Sequence, residues 1–202
     1  MTGTMAPSGG RKGRMESVRI RPLGPLLIFA QALVWIVLDQ WSKWWAESEL
    51  EEWEYVPLWG DIFGFRLVYN PGAAFGMAAD FTWILSIIAA IAVVALIVLS
   101  LRTDHWLWVI GFGALTGGAI SHLGDRLFRD PGFAVGHIVD FLDYAGFFVG
   151  NIADIALVGG AGILILATLL GLPRAHSERD EDQDESSLTA SPTPPGPQQT
   201  AP

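Results

Sequence analysis

The chain has no cysteine, which excludes disulfides, thiolate metal sites and cysteine nucleophiles together. Charge is scarce as well: 16% of residues are charged and 51% are hydrophobic, whereas about a quarter are charged in an ordinary soluble domain. The shortage is sharpest in four stretches without Asp, Glu, Lys or Arg: 22–38, 81–101, 105–124 and 155–173. At 1.5 Å rise per residue, about 20 helical residues cross a hydrocarbon core of roughly 30 Å, so each stretch is near spanning length. The first and last reach past an acidic residue: Trp41, Trp44 and Trp45 follow Asp39, and Gly146 to Ala153 precede Asp154. Helices are therefore expected over about 23–41, 80–101, 105–124 and 147–172. A cleavable signal peptide needs a short apolar run and a small-residue cleavage site, whereas the first run leads straight to Asp39, so it reads as a retained helix.

The net charge of −9 is unevenly spread. Residues 1–22 are basic, with Arg11, Lys12, Arg14, Arg19 and Arg21 against Glu16, and such a flank favours a cytoplasmic N-terminus. Four helices then return the C-terminus to the same side and leave 42–80 and 125–150 on the outer face. Residues 173–202 are acidic and Pro-rich, and read as a disordered cytoplasmic tail. Between these flanks, 23–172 forms one membrane domain. Arg102, Thr103 and Asp104 alone join the second and third helices, which dictates an antiparallel hairpin. Around Glu54 to Tyr69, aromatic and apolar residues alternate between Pro57, Gly60 and Gly64, which predicts a small β element. The tryptophans at 41, 44, 45, 53 and 59 suit the headgroup layer. The fold class is thus an all-α membrane protein: four transmembrane helices and a small extracytoplasmic β element.

Ionisable groups near hydrocarbon cost roughly 2.5–3.5 kcal/mol on insertion scales, so each is a functional candidate. Asp39, Asp125, Arg126, Asp140, Asp143 and Asp154 qualify, and all fall at one depth, at outer helix ends or in the second outer segment. Lys43 lies one helical turn after Asp39, a spacing that serves an interfacial ion pair as readily as a site. Asp125 and Arg126 are adjacent and face apart on a helix, so each needs another partner. Asp140 and Asp154 meet if the chain folds back between them. Close carboxylates share one proton, the arrangement with which aspartic proteases activate water and polarise a carbonyl without a covalent intermediate. Proton or cation transport, or a plain structural role, fits the same spacing. Ser121, His122 and Asp125 supply the residue types of a serine triad, but the first two point apart on a helix. His122 with Asp125, or His137 with Asp140, has spacing compatible with zinc, without the HExxH of membrane metalloproteases. His105 and His137 otherwise read as interfacial.

Four motifs in fixed order resemble the lipoprotein signal peptidase (signal peptidase II) family from about residue 25 to 172. They are Asp39-Gln40-Trp41-Ser42-Lys43, Asn70-Pro71-Gly72-Ala73-Ala74-Phe75-Gly76, Gly117-Gly118-Ala119 through Asp125-Arg126, and Val139-Asp140-Phe141-Leu142-Asp143 with Asn151-Ile152-Ala153-Asp154. The resemblance implies that Asp140 and Asp154 are the catalytic pair of an aspartic endopeptidase. Asp39, Asn70, Arg126 and Asn151, with the motif neighbours Lys43, Gly72 and His122, would bind substrate or support the site. It implies cleavage of diacylglyceryl-modified prolipoproteins before the lipid-modified cysteine, at the outer face of the bacterial cytoplasmic membrane. Neither cofactor nor metal is implied, and the expected partners are the prolipoprotein and membrane lipid, with no nucleic acid and a monomeric state. Residues 42–69 resemble the family's outer cradle.

The chain departs from the family pattern where Ser121-His122 replaces Gly-Asn and where Gly150 replaces the Phe before Asn151. Those departures keep a non-catalytic lipoprotein-binding relative among the alternatives, beside the small transporter. Leu123-Gly124-Asp125 also resembles part of the Gly-x-Gly-Asp motif of presenilin-like peptidases, with His122 at the first glycine and too few helices. Removal of residues 176–202 is expected to leave cleavage of a lipid-modified precursor intact, as measured by a processing assay on the shortened chain.

Overall fold

The computed structural model describes residues 23–72, 81–103 and 105–174. The basic segment 1–22, the Ala73-Ala74-Phe75-Gly76 part of the second motif, Asp104 and tail residues 175–202 lie outside the described residues. Among those described, four helices are long and apolar enough to cross a membrane: α1 (Gly24–Glu49), α2 (Thr82–Ser100), α3 (Trp106–Phe128) and α4 (Ile152–Leu169).

Pro25 in the first turn of α1 has its φ set for a helix start. The helix then runs past the expected end near 41 to Glu49, because its buried face continues: Asp39, Lys43 and Ala46 follow at helical spacing, all fully buried. Helix α3 likewise continues past Gly124 to Phe128, carrying Asp125 and Arg126 into buried positions. It is the central helix, packed on α1, α2 and α4, and half of its spanning window is buried against 17–22% for the others. His105, expected at the interface, is buried and caps α3 by accepting from the Leu107 amide.

The start of α4 corrects the expectation of a helix from about 147. A four-stranded antiparallel sheet occupies that ground, with order β1 (Val56–Trp59), β2 (Phe63–Asn70), β3 (Ile138–Tyr144) and β4 (Phe148–Gly150). Ala145 and Gly146, both with positive φ (56° and 69°), close the β3–β4 hairpin, as a tight hairpin turn requires. Asn151 follows β4 and caps α4 in a reciprocal box: its side chain accepts from the Asp154 amide, and the Asp154 carboxylate accepts from the Asn151 amide.

The sheet joins the segment after α1 to the segment before α4, and its register sets Val68 opposite Asp140 and Asn70 opposite Ile138. It seats on α1 through a cluster of Ala46, Leu67, Val139, Phe141 and Leu142. Trp45 belongs to that seat, its ring centroid 5.0 Å from Phe65 and 6.3 Å from Phe141. It is therefore a packing residue, unlike Trp41, Trp44, Trp53 and Trp59, which are exposed as an interfacial belt requires.

Helix α3 approaches α4 through Gly118, where an added Cβ would stand 2.7 Å from the Ala153 carbonyl oxygen. Backbone cannot yield as a flexible side chain does. Gly118→Val is expected to destabilise by about 1–3 kcal/mol through overpacking. Thermal unfolding of the purified variant in detergent measures it.

Candidate active site

Asp140, on β3, is 4% exposed, and each of its oxygens accepts a hydrogen bond. Asn70, at the end of the neighbouring strand, donates to Oδ2 at 3.0 Å, and Asn151 donates to Oδ1 at 2.7 Å. Burial pushes the Asp140 carboxyl up to about 7, with the Asp154 charge adding to it, against the opposing hydrogen bonds from Asn70 and Asn151 and the Lys43 charge.

Asp154 sits in the first turn of α4, where the helix dipole favours negative charge. Its Oδ2 accepts from the Asn151 amide at 2.9 Å. Asn151 is thus bonded to both carboxylates, to one by its side chain and to the other by its backbone. The orientation of its amide follows from chemistry. The Asp154 N–H, 3.1 Å away, needs an oxygen, so the amide nitrogen faces Asp140 and the Val139 carbonyl. His122 Nε2 lies 3.2 Å from that same oxygen and 3.6 Å from Asp154 Oδ1, so Nε2 is the ring nitrogen that carries the proton.

Arg126 does not pair with its neighbour Asp125. Its guanidinium donates to the carbonyls of Asn70, Pro71, Gly72 and Gly136. Those bonds fix the segment that carries Asn70, so Arg126 positions Asp140 at one remove, and Gly72 takes part through its backbone. The Gly72 amide also donates to Asn70 Oδ1 at 3.0 Å, which turns the Asn70 amide nitrogen toward Asp140.

Beneath this layer lies a buried ionic network. Lys43 Nζ bridges Asp39 at 2.5 Å and Asp125 at 2.6 Å, all three essentially without exposure. Asp39 also accepts from Ser121 at 2.6 Å and from the Ala153 amide at 2.8 Å. Asp125 is held further by Gln40 at 2.9 Å and Arg129 at 2.8 Å, and Arg129 reaches Glu47 at 2.7 Å. With Ser121 turned to Asp39 and His122 to Asn151, the two point apart as the helix geometry required. Asp143, also a candidate, stands away from the pair: it meets Arg66 at 2.8 Å and accepts from the Gly146 amide at 2.6 Å.

A cavity of about 270 Å³ opens on Asp140 and Asp154, and Asn70, Gly72, His122 and Arg126 share its wall. The predicted set therefore gathers at one place, with Asp39 and Lys43 below it and Asn151 buried behind. Sequence reasoning missed Gln40, Arg129 and Glu47; the spacing of Arg129 from Asp125, one helical turn, is a signal that finds Arg129, whereas Gln40 and Glu47 meet Asp125 and Arg129 across helices, which no local spacing encodes. The glycine at 150 has a steric reason: an added Cβ would lie 2.6 Å from the Phe148 ring and 2.8 Å from Asp154 Oδ2.

Comparison with known proteins agrees with this architecture. Two solved chains, each described as a bacterial membrane enzyme structure obtained by the in meso method, share the fold. One matches with a TM-score of 0.64 at 21% identity over 89% of this chain and 99% of its own. The other gives 0.62 at 23% identity, over 77% and 98%. The fold class is thus a four-helix multi-pass membrane bundle with a small antiparallel sheet. The family model described as signal peptidase (SPase) II matches residues 31–170. A lipoprotein signal peptidase of Rhodococcus jostii (strain RHA1) is 41% identical, over 73% of this chain and 74% of its own. One from Bifidobacterium longum (strain DJO10A) is 38% identical over 75% and 82%, and one from Leifsonia xyli subsp. xyli (strain CTCB07) is 36% identical over 92% and 89%. The chain belongs to the signal peptidase II family and is a peptidase.

Removing Lys43 would leave two carboxylates buried around a lost cation, and breaking a buried ion pair costs about 3–5 kcal/mol. Lys43→Met is therefore expected to lower thermal stability steeply. Restoring it as Lys43→Met with Asp39→Asn would recover part of the loss, and calorimetry in detergent reads both.

Proposed function

We propose that this protein is an aspartic endopeptidase that cuts lipid-modified prolipoproteins, with Asp140 and Asp154 as its catalytic dyad. The observation that carries the reading is the double grip of Asn151 on both carboxylates at the wall of one cavity. The substrate class follows the lipoprotein signal peptidases that the chain resembles over most of its length.

The two environments divide the roles. Asp140, the more deeply buried, holds the shared proton and donates it to the scissile carbonyl oxygen. Asp154, more open and at a helix N-terminus, takes a proton from the attacking water. Asp154 then passes that proton to the departing amine as the C–N bond breaks, Asp140 recovers its own from the former carbonyl oxygen, and a carboxylic acid and an amine result with no acyl-enzyme. Asn70 and Asn151 hold Asp140; Asn151 and His122 hold Asp154; Arg126 and Gly72 hold Asn70; Asp39 and Lys43 hold the start of α4. The basic segment 1–22 and the acidic tail 173–202 flank the 23–172 domain in the cytoplasm. The site then faces the outer side of the bacterial cytoplasmic membrane, where a monomer reaches its substrate among membrane lipids.

Asp140→Asn and Asp154→Asn are each expected to slow cleavage of a diacylglyceryl-modified precursor by about 10²–10⁴-fold. Wild-type cleavage is expected to fall as pH rises past about 7, where Asp140 loses the shared proton. The sign for stability follows from the same shift. The folded state binds the Asp140 proton more tightly than the unfolded chain, whose carboxyl titrates near 3.9, so this residue's contribution declines as pH rises from about 4 to 7. The unfolding temperature of Asp140→Asn should gain on that of wild type across that window and then run parallel to it. Full cleavage by either Asn variant would refute the dyad.

A further inference from the structure

Resting on the dyad reading, we infer that Phe148 is a specificity-determining residue whose ring limits the size of the side chain that can lie beside the two carboxylates. Two cavities meet at this point. One is the 270 Å³ cavity of the dyad, which extends between helices to Leu85, Ala89 and Leu157. The other, about 550 Å³, runs over the sheet past Trp53, Val68 and Phe147. Asn70, Asp140 and Phe148 line both. A peptide that passes from one cavity to the other crosses between two polar residues committed to the chemistry and one aromatic ring that has no chemistry to perform. The ring therefore sets the width of the passage.

Its position is built rather than incidental. Phe148 stacks on Tyr144 at 6.1 Å between centroids with planes 23° apart, and Tyr144 in turn meets Phe63 at 5.3 Å. This ladder runs across β4, β3 and β2 and holds the ring against rotation. Glycine at 150 admits it: the ring edge and Asp154 Oδ2 both crowd the point where a Cβ would stand. Phe148 and Asp154 thus share the wall of the dyad cavity, and on this inference the residue preceding the scissile bond passes along that wall. A single methylene in an apolar pocket is worth roughly 10–200-fold in discrimination, so a whole ring suffices for strong selection.

The experiment uses the full chain in detergent and diacylglyceryl-modified precursor peptides that differ only in the residue before the scissile bond, Ala or Leu. The readout is the ratio of kcat/KM for Leu over Ala. Phe148→Ala is expected to raise that ratio at least about 10-fold over wild type, with Phe148→Leu in between. A ratio within about 2-fold of wild type in both variants would overturn the inference, as would loss of all cleavage in both while each still unfolds cooperatively. Cleavage by Asp154→Asn at the wild-type rate is a separate failure, which sinks the dyad and is read without reference to the ratio.

Discussion

A single ammonium group ties this molecule together. Lys43 Nζ, without exposure, lies between the carboxylates of Asp39 on its own helix and Asp125 on α3. The second oxygen of Asp39 accepts from the Ala153 amide, so the start of α4 is drawn to the same point. Three helices are thereby fixed relative to one another at the depth of the site. Three residues earlier than Asp154, Asn151 can then reach across to Asp140 on β3. Charges taken from water are expensive, and a good ionic geometry offsets that expense only when every partner is in place. The network meets the condition: Gln40, Ser121 and Arg129 take up the remaining carboxylate sites.

Above this anchor the chain uses neutral side-chain and backbone amides to hold Asp140 and Asp154. Arg126 spends its donors on the carbonyls of 70–72 and 136, and that fixes Asn70 without placing a cation in direct contact with Asp140. A guanidinium bonded directly to Asp140 would favour its ionised form, whereas the amides of Asn70 and Asn151 oppose burial only in part. The layering thus separates two demands: strong ionic bonds below for rigidity, weaker neutral bonds above to keep a proton available near neutral pH.

Much of this was legible in the residues. Charge-free stretches revealed the helices, the turn of spacing between Asp39 and Lys43 announced their pairing, and Asp125 beside Arg126 required separate partners, which both have. The β3–β4 hairpin was not legible. Its strand Ile138-Val-Asp-Phe-Leu-Asp-Tyr is buried at nearly every position, so it lacks the alternation of a half-exposed strand, and the Gly-rich run after it blends into the apolar start of α4. The contact of Asn70 with Asp140 depends on that hairpin pairing with β2, a long-range event that no local pattern encodes. Trp45 was equally hidden, because nothing in Trp44-Trp45 says which ring meets the sheet and which meets lipid.

The pairing of β2 with β3 has a temporal consequence. β2 follows the first span and β3 precedes the last, so the sheet cannot zip until both intervening helices have been threaded into the bilayer and the chain has returned to its starting side. Non-local pairing of this kind forms late, after shorter loops have closed. A half-synthesised chain would carry Asn70 with no Asp140 to hold. Biogenesis itself thus delays the meeting of Asp140 with its Asn70 and Asn151 partners until the chain beyond the third span has been made.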